Sequence, residues 1–372
     1  MNILSHRGLT KVVFLDSLSV DIFSGLELSS ALFLIDEALV PLFCDIFSLN
    51  FFVNCHSISI PASEDSKSLT FLCQLLNQIY TDGLIPSHII TFGGGTIQDV
   101  SGFLAALIRR GIKWTYLPTT LLAMADSSIG SKVSINVGSK KNQIGLFFPP
   151  SSILIYPPLL DSLPEREYVS GCGDILHYAL QSSFIDPIFK SHLPMVFAGS
   201  THEAIKDLVR ATLEVKRPFV EKDEFDLGLR KSLNLGHTFA HAIESASLFC
   251  IPHGIAVIIG CALAFHFSSR KNLVQTYFLV DHFRLMNQLL LRAYSYFGQH
   301  TIDQGIFRSS LACDKKNSRL GHVLLILPSG LDQSSYVMIK EDYPLKEIST
   351  FISEFLSDSS FCRNLLTFPH FS

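Results

Sequence analysis

The segment from Leu229 to Glu244 is rich in side chains that can do chemistry. At 100° per residue, a helix over this segment places four of them within an arc of roughly 60°: Arg230, Asn234, His237 and His241. The apolar side chains fall on a separate arc, so the polar stripe is not the packing face. Two imidazoles beside a guanidinium and an amide need a shared polar cavity, because burying each alone is costly. The segment therefore predicts a functional site on one face of a helix.

A metal ion is one ligand that this stripe predicts. His237 and His241 have the i, i+4 spacing of helical zinc ligand pairs, although the residues between them do not make the H-E-x-x-H motif. Spacing alone leaves open which histidine binds. His253 and Asp174 are further candidates, because one carboxylate and two imidazoles suit a catalytic zinc that keeps positions open for substrate oxygens. Each residue, taken alone, is also compatible with a purely structural role.

A triple glycine predicts an anion site in the first half of the chain. Gly93–Gly95 follows the apolar run His88–Phe92 and opens a predicted helix that contains Asp99, so backbone N–H groups can approach the pyrophosphate of a nucleotide. The same glycines also suit a sharp strand-to-helix turn without a ligand, and they are not the G-x-G-x-x-G motif. Thr119 and Thr120 follow the next predicted strand and add two hydroxyls at the carboxyl edge of the sheet, where open parallel sheets bind ligands.

Positive charge is sparse but clustered. With 29 Lys and Arg against 33 Asp and Glu, the formal net charge of −4 gives no overall attraction to nucleic acid or to an anionic membrane. Most basic clusters are solvated surface, but Lys132 ends the glycine- and serine-rich stretch 126–132, which predicts a loop that exposes the lysine to an anionic substrate. The clustered basic residues are Arg109, Arg110, Lys132, Lys140, Lys141, Lys216, Arg217, Arg230, Lys315 and Lys316.

The hydrophobic pattern of the 372 residues predicts two domains. Over residues 1–160, short apolar runs alternate with amphipathic stretches, which predicts a parallel sheet wrapped by helices. Over 161–372, longer helical periods predict a mostly helical domain. The predicted strands are Ala31–Ile35, Ser87–Phe92, Lys113–Leu117, Ser152–Tyr156 and His322–Pro328, and the predicted helices are Thr96–Gly111, Glu165–Phe184, His202–Glu221, Leu227–Ser247, Gly254–Ser269 and Leu273–Phe297.

Composition bears on where the protein works. The chain has no run of about 20 consecutive apolar residues, and its most apolar window, Ile251–Phe267, is interrupted by two His and two Gly, which predicts a buried helix. Met1–Leu15 lacks the pattern of a secretory signal. The eight cysteines form no C-x-x-C pair, which predicts reduced thiols. A cytoplasmic protein without a membrane or nucleic-acid partner is therefore predicted.

Six stretches in chain order carry a family resemblance: GGGTIQD (93–99), LPTTLLAMADSSIGSK (117–132), KKNQIG (140–145), LPEREYVSG (163–171), LRKSLNLGHTFAHAIE (229–244) and HG (253–254). They resemble 3-dehydroquinate synthase, and two of them, PTTLLAM-x-DSSIG and LNLGHTF-x-HAIE, are specific to that enzyme and related sugar-phosphate cyclases. The resemblance implies a Rossmann-like α/β nucleotide-binding domain, a mostly α-helical C-terminal domain and a homodimer. It also implies tightly held NAD and one divalent metal, zinc or cobalt.

The resemblance also implies roles for individual residues. The metal ligands would be Asp174, His237 and His253, with His241 facing the substrate. The NAD side would use Asp36, Glu64, Lys67, Gly94, Gly95, Asp99, Thr119 and Thr120, joined by Lys132 and Lys141. The substrate anions would meet Asp126, Lys132, Lys141, Asn142, Lys216, Arg230, Asn234 and one of Lys315 or Lys316. Arg110 resembles an arginine that the neighbouring subunit donates.

The implied reaction converts 3-deoxy-D-arabino-heptulosonate 7-phosphate to 3-dehydroquinate and phosphate, with NAD used and regenerated within one turnover. Three alternatives stay open: a related sugar-phosphate cyclase, a glycerol-dehydrogenase-like oxidoreductase, and a degenerate paralogue without activity. The last follows from departures at motif positions. Asp174 and His177 stand where the family has Glu and Lys, Ser131 replaces a Gly, and Ile255 replaces a Glu.

Overall fold

The computed structural model describes residues 1–48, 51–52, 55–138, 140–199, 201–298, 300, 302–313, 317 and 319–356. The chain forms two compact units. The first contains Met1–Leu163 and Arg217–Phe225, and the second contains Pro164–Lys216 and Asp226–Ser372. The functional division predicted at residue 160 stays a prediction, since the compact units part after Leu163 and the segment 217–225 packs with the first of them.

The first unit is built around a parallel sheet. The strands of this unit are β1 Asn2–Ser5, β2 Gly8–Phe14, β3 Ala31–Asp36, β4 His56–Ile60, β5 His88–Gly93, β6 Lys113–Pro118, β7 Lys132–Val137, β8 Lys140–Phe147 and β9 Ser152–Ile155. Seven of them form one sheet in the order β1-β2-β9-β6-β5-β3-β4, and every neighbouring pair is parallel except β1 and β2. The central strands are continuous apolar runs because both faces of a parallel sheet are buried. The α/β prediction and the predicted strands of this unit are confirmed.

Three α-helices of the first unit are α1 Val40–Phe47, α2 Leu69–Thr81 and α3 Gly95–Leu107. The predicted helix 96–111 ends four residues early, because Arg109 and Arg110 take left-handed φ angles of 51° and 65°. The predicted loop at 126–132 is also only partly right. Lys132 begins β7 of an antiparallel hairpin with β8, and Val133 and Ile135 of that strand are buried, so the alternating pattern of a strand starts at the lysine itself.

The second unit is mostly helical, as predicted. Its helices are α4 Glu165–Ala179, α5 Pro187–Phe197, α6 His202–Lys222, whose last turn packs with the first unit, α7 His237–Ala246, α8 His253–Arg270, α9 Val280–Phe297, α10 Gln304–Ala312 and α11 Leu345–Leu356. A hairpin of β10 His322–Ser329 and β11 Val337–Pro344 completes it. Among the described helices, α8 has the length and apolar composition of a membrane span, but 78% of it is buried inside the protein, which is the expected environment of a core helix.

The single helix predicted over 229–244 is wrong. Leu229–Leu233 is a short 3₁₀ helix, and α7 starts only at His237. Between them Gly236 has a left-handed φ of 75°, and a Cβ atom there would lie 2.5 Å from the backbone nitrogen of Cys261. The start of α7 therefore packs backbone to backbone on α8, and this contact breaks the helix that periodicity alone suggests.

Helices α4 and α8 cross at two glycines. A Cβ atom on Gly173 would lie 2.2 Å from the carbonyl oxygen of Gly254, and one on Gly254 would lie 1.8 Å from the carbonyl oxygen of Ser170. The Gly254 N–H also donates a 2.9 Å hydrogen bond to the Ser170 hydroxyl. Only glycine permits this approach, and it brings Asp174 against the first turn of α8.

We expect Gly173→Ala to lower the free energy of unfolding by about 1–3 kcal/mol, because the added methyl forces the two helices apart. Gly305→Ala is the matched control, since residue 305 is exposed in α10 and its Cβ would meet a side-chain oxygen, that of Asp303, at 3.2 Å. Urea unfolding of both variants measures the difference. A Gly173→Ala protein as stable as the wild type would contradict the close crossing.

Candidate functional site

Four histidines and two carboxylates of the second unit come together on three helices. Helix α4 supplies Asp174 and His177, α7 supplies His237, His241 and Glu244, and α8 begins with His253. His237, His241 and Glu244 lie at i, i+4 and i+7, which is one face of a helix. The predicted polar stripe is therefore present on α7 only for His237 and His241. Arg230 and Asn234 lie before the break at Gly236 and are not part of that helix.

His253 is the predicted metal ligand that lies close to both of the others. Its Nε2 lies 3.8 Å from Oδ1 of Asp174, and its ring centroid lies 5.6 Å from that of His237 and 6.3 Å from that of His241. The Asp174 side chain is almost fully buried, whereas a third of the His253 side chain is exposed. His253 therefore lies near both of the other predicted ligands, Asp174 and His237.

The donor set fits a zinc or cobalt ion. One carboxylate and two imidazoles are ligands that zinc prefers in catalytic sites, and Gly254 leaves open the space beside the carboxylate, where a Cβ atom would lie 2.7 Å from Asp174 Oδ2. As the side chains stand, no three His, Cys, Asp or Glu residues within the described ranges are grouped closely enough to hold a metal ion. The ligand assignment therefore stays a prediction.

Two buried cations of the second unit belong to the predicted anion site. Lys216 on α6 is 5% exposed and Arg230 in the 3₁₀ helix is 7% exposed, and buried charges of this kind require partners. Asn234 follows the 3₁₀ helix, where its side chain donates to the Lys231 carbonyl at 2.9 Å and its carbonyl accepts from His237 N at 3.1 Å. Lys315 and Lys316 lie outside the described residues.

The triple glycine of the first unit forms the turn from β5 to α3. Gly94 precedes the first residue of α3, and a Cβ atom on it would lie 2.8 Å from Cγ2 of Thr120. Thr119 N donates to the Gly93 carbonyl at 3.1 Å. The glycines and both threonines therefore lie together at the carboxyl edge of the sheet, which is where a nucleotide phosphate binds in open parallel sheets.

Lys67 contacts one residue predicted to bind NAD, Asp99, and one predicted to bind the substrate, Asn142. Its Nζ lies 2.6 Å from Asp99 Oδ2 and donates to Asn142 Oδ1 at 2.8 Å, and the lysine is 7% exposed. Asp99 also accepts from Ser134 N at 2.9 Å. Burial raises the pKa of Asp99, and the charge and hydrogen bond of Lys67 act in the opposite direction.

A second ion pair lies on the exposed side of the hairpin. Glu64 Oε1 lies 2.9 Å from Lys141 Nζ, and its Oε2 accepts from the Asn136 amide at 2.7 Å. Partial burial acts to raise the pKa of Glu64, but the hydrogen bonds from Lys141 and Asn136, together with the charges of Lys141 and Lys67, outweigh it and the pKa is lowered. In this structure, therefore, Glu64 pairs with Lys141 and Lys67 pairs with Asp99.

The remaining predicted residues of the first unit lie at element ends. Asp36 ends β3, caps the next turn by accepting from Ala38 N at 3.1 Å, and has its pKa raised by burial. Asp126 lies in a helical turn over Ala123–Ser127, and Arg110 is exposed after α3. The role of Arg110 in a neighbouring subunit stays a prediction.

Sequence reasoning missed two glutamates. Oε1 of Glu244 lies at hydrogen-bond distance, 3.1 Å, from Nδ1 of His253. The i+7 spacing of Glu244 from His237 is the sequence signal that could have found it. Glu224 receives a hydrogen bond from the hydroxyl of Ser131, and its Oε2 accepts from His6 N at 2.7 Å. Nothing in the local pattern around Glu224 indicates that contact, because it joins residues 93 positions apart.

Comparison with known proteins identifies the family. A family model described as 3-dehydroquinate synthase N-terminal matches residues 57–170, and one described as 3-dehydroquinate synthase C-terminal matches residues 172–317. The 3-dehydroquinate synthase of Mesorhizobium japonicum is 36% identical over 307 residues, which cover 80% of this chain and 79% of that protein. The chain belongs to the 3-dehydroquinate synthase family.

Two further comparisons set the extent of the likeness. The 3-dehydroquinate synthase of Acidithiobacillus ferrooxidans is 39% identical over 223 residues, and this match spans 59% of the chain and 61% of the relative's length. A crystal structure of 2-deoxy-scyllo-inosose synthase complexed with carbaglucose-6-phosphate, NAD⁺ and Co²⁺ superposes with a TM-score of 0.82 at 21% identity, covering 95% of this chain and 99% of that one. The similarity to 2-deoxy-scyllo-inosose synthase establishes the fold of this chain.

Three positions that depart from the 3-dehydroquinate synthase pattern are buried in the structure. His177 is 2% exposed, and its ring centroid lies 4.8 Å from that of His237. Ile255 is 1% exposed and packs in the core. Ser131 takes a left-handed φ of 64°, which glycine adopts more readily, and its hydroxyl donates to Glu224. The hydrogen bond offsets part of the conformational cost of serine there.

We expect Lys67→Met to lower the free energy of unfolding by about 3–5 kcal/mol at neutral pH, because it leaves the buried Asp99 carboxylate without its nearest cation. The double variant Lys67→Met/Asp99→Asn removes the charge as well and should recover at least about 1 kcal/mol of that loss. Denaturant unfolding of both variants and of Asp99→Asn measures the coupling.

The pH dependence of the same variants has a defined sign. Burial raises the pKa of Asp99 and Lys67 opposes this, so loss of the lysine raises that pKa further. The cost of Lys67→Met relative to the wild type is therefore complete above the pKa of Asp99 in the variant and shrinks as the pH falls from there toward the wild-type pKa. Simple additivity of the two single substitutions, at every pH, would contradict the proposed ion pair.

Proposed function

We propose that this protein is a 3-dehydroquinate synthase that converts 3-deoxy-D-arabino-heptulosonate 7-phosphate to 3-dehydroquinate and phosphate, and thus acts as a phosphate-eliminating lyase of the shikimate pathway. The observation that carries the proposal is the contact of His253 with Asp174 and its proximity to His237, in a chain whose C-terminal family match, residues 172–317, contains all three residues. Membership in the family supports the sugar-phosphate substrate.

The cofactors would occupy separate sets of residues. Asp174, His237 and His253 would hold a zinc or cobalt ion, which when bound polarises substrate hydroxyls. The glycine turn at Gly94 and Gly95, with Thr119 and Thr120, would hold the phosphates of NAD, which when bound accepts and returns a hydride within one turnover. A cyclase of the same fold was solved with NAD⁺ and Co²⁺, which supports the choice of cofactors.

The side chains of this protein would supply charge and geometry. Lys132, Asn142, Lys216 and Arg230 would bind the phosphate and carboxylate of the substrate, so that the reacting groups are held in place during elimination and ring closure. His241, which is exposed beside His237, would move protons to and from substrate oxygens. One lysine of 315–316 would complete the anion site.

We further propose that the enzyme is a cytoplasmic homodimer without nucleic-acid or membrane partners, and that Arg110 enters the site of the neighbouring subunit. The formal net charge of −4 gives no overall attraction to nucleic acid, and the apolar helix α8 is mostly buried inside the protein. Arg110 is exposed after α3, so its side chain is accessible to a second copy of the chain.

A related sugar-phosphate cyclase is the second candidate, favoured by the high structural similarity to 2-deoxy-scyllo-inosose synthase. Incubation with the heptulosonate phosphate separates the possibilities. We expect stoichiometric phosphate release without net NADH, since the hydride returns to the product. Net NADH would indicate a dehydrogenase, and no reaction by protein loaded with NAD and zinc or cobalt would contradict the proposed activity.

We expect His253→Ala to bind zinc at least about 100-fold more weakly than the wild type, because loss of a ligand exceeds the 10–100-fold effect of losing a ligand's support. His300→Ala is the matched control, since His300 is exposed in the same unit. Elemental analysis after dialysis measures both. Equal zinc content in the two variants would remove His253 from the site.

A further inference from the structure

Glu244 has no role in the reaction proposed above, yet its side chain contacts the predicted metal ligand His253. Its Oε1 lies 3.1 Å from Nδ1 of His253, and the glutamate side chain is 16% exposed. It lies one helical turn beyond His241, on the face of α7 that carries His237. The carboxylate therefore supports His253 from a neighbouring helix.

The contact favours one tautomer of His253. An ionised Glu244 carboxylate can only accept a hydrogen bond, so the arrangement that satisfies both groups has the proton of the neutral ring on Nδ1 and the lone pair on Nε2. Nε2 is the atom that faces Asp174, 3.8 Å from its Oδ1. The ring is thus held with its metal-binding nitrogen directed at the second predicted ligand.

We propose that Glu244 is a positioning residue that fixes the tautomer and orientation of His253, so that Nε2 is directed to the metal. This inference rests on the proposed function, because it assigns Glu244 to the same metal site. Carboxylate–histidine–metal arrangements orient the ring and raise its basicity, and losing the carboxylate weakens metal affinity about 10–100-fold.

The backbone of Glu244 has separate duties that substitution preserves. Its carbonyl accepts from Phe249 N at 2.7 Å and from the Ser247 hydroxyl at 3.1 Å. Gln and Ala both form helix readily, so neither replacement disfavours α7. Effects of Glu244→Gln and Glu244→Ala therefore report on the side chain.

Metal affinity of the full chain tests the role without an activity assay. Chelator competition with Zn²⁺ or Co²⁺ gives dissociation constants for the wild type, Glu244→Ala, Glu244→Gln and the control Glu203→Ala, whose side chain on α6 is 73% exposed. We expect about 10–100-fold weaker binding for Glu244→Ala. Glu244→Gln should lose less, because its amide oxygen still accepts from Nδ1–H, and the control should match the wild type.

The visible absorption of bound Co²⁺ adds a readout of ligand geometry. We expect it to change in Glu244→Ala and to stay unchanged in Glu203→Ala. Wild-type affinity and an unchanged Co²⁺ spectrum in Glu244→Ala would overturn the role of Glu244 alone. If the alanine variant does not fold, the same result in Glu244→Leu, which also removes the acceptor and keeps a good helix former, would overturn it. Wild-type protein that binds neither metal would overturn the proposed function together with it.

Discussion

The crossing of α4 and α8 at Gly173 and Gly254 is the constraint on which the candidate metal site depends. Side chains at either position would collide with backbone atoms of the other helix, so the two axes approach only while both residues are glycine. The approach places Asp174, one residue after the first glycine, beside His253, one residue before the second. A shorter carboxylate than the glutamate of the family pattern thus lies next to its histidine because the backbones are close.

A second pair of glycines places the third helix of the site. Gly236 and Gly260 bring the start of α7 onto α8, and His237 is the first residue after that contact. Close glycine contacts at two points along α8 therefore bring predicted metal ligands from α4 and α7 near His253. Since α8 is buried on nearly all sides, the surrounding core fixes the directions from which these side chains converge.

Sequence patterns predicted those parts of the structure that local chemistry determines. The continuous apolar runs predicted β3, β5 and β6, and the triple glycine predicted the turn into α3, because burial of both sheet faces and a tight turn each leave a local signature. Periodicity failed at residues 234–236, where a backbone contact with Gly260 overrides helical preference. It also missed the hairpin that begins at Lys132, whose partner strand β8 is exposed along most of its length.

The candidate site shows the same division. His253 lies near Asp174 and His237, while the role of the three as metal ligands stays a prediction. The Lys67–Asp99 and Glu64–Lys141 pairs join residues that the sequence could only name separately. The contacts of Glu224 with Ser131 and His6 span long stretches of chain, so they emerge only from the fold.

Anomalous diffraction from crystals grown with Zn²⁺ or Co²⁺ tests the central claim most directly, because it locates the metal independently of any assigned role. The account predicts one strong anomalous peak within bonding distance, about 2.0–2.2 Å, of Asp174, His237 and His253 Nε2. A peak bound elsewhere, or imidazoles that keep their present contacts around no metal at all, would contradict it.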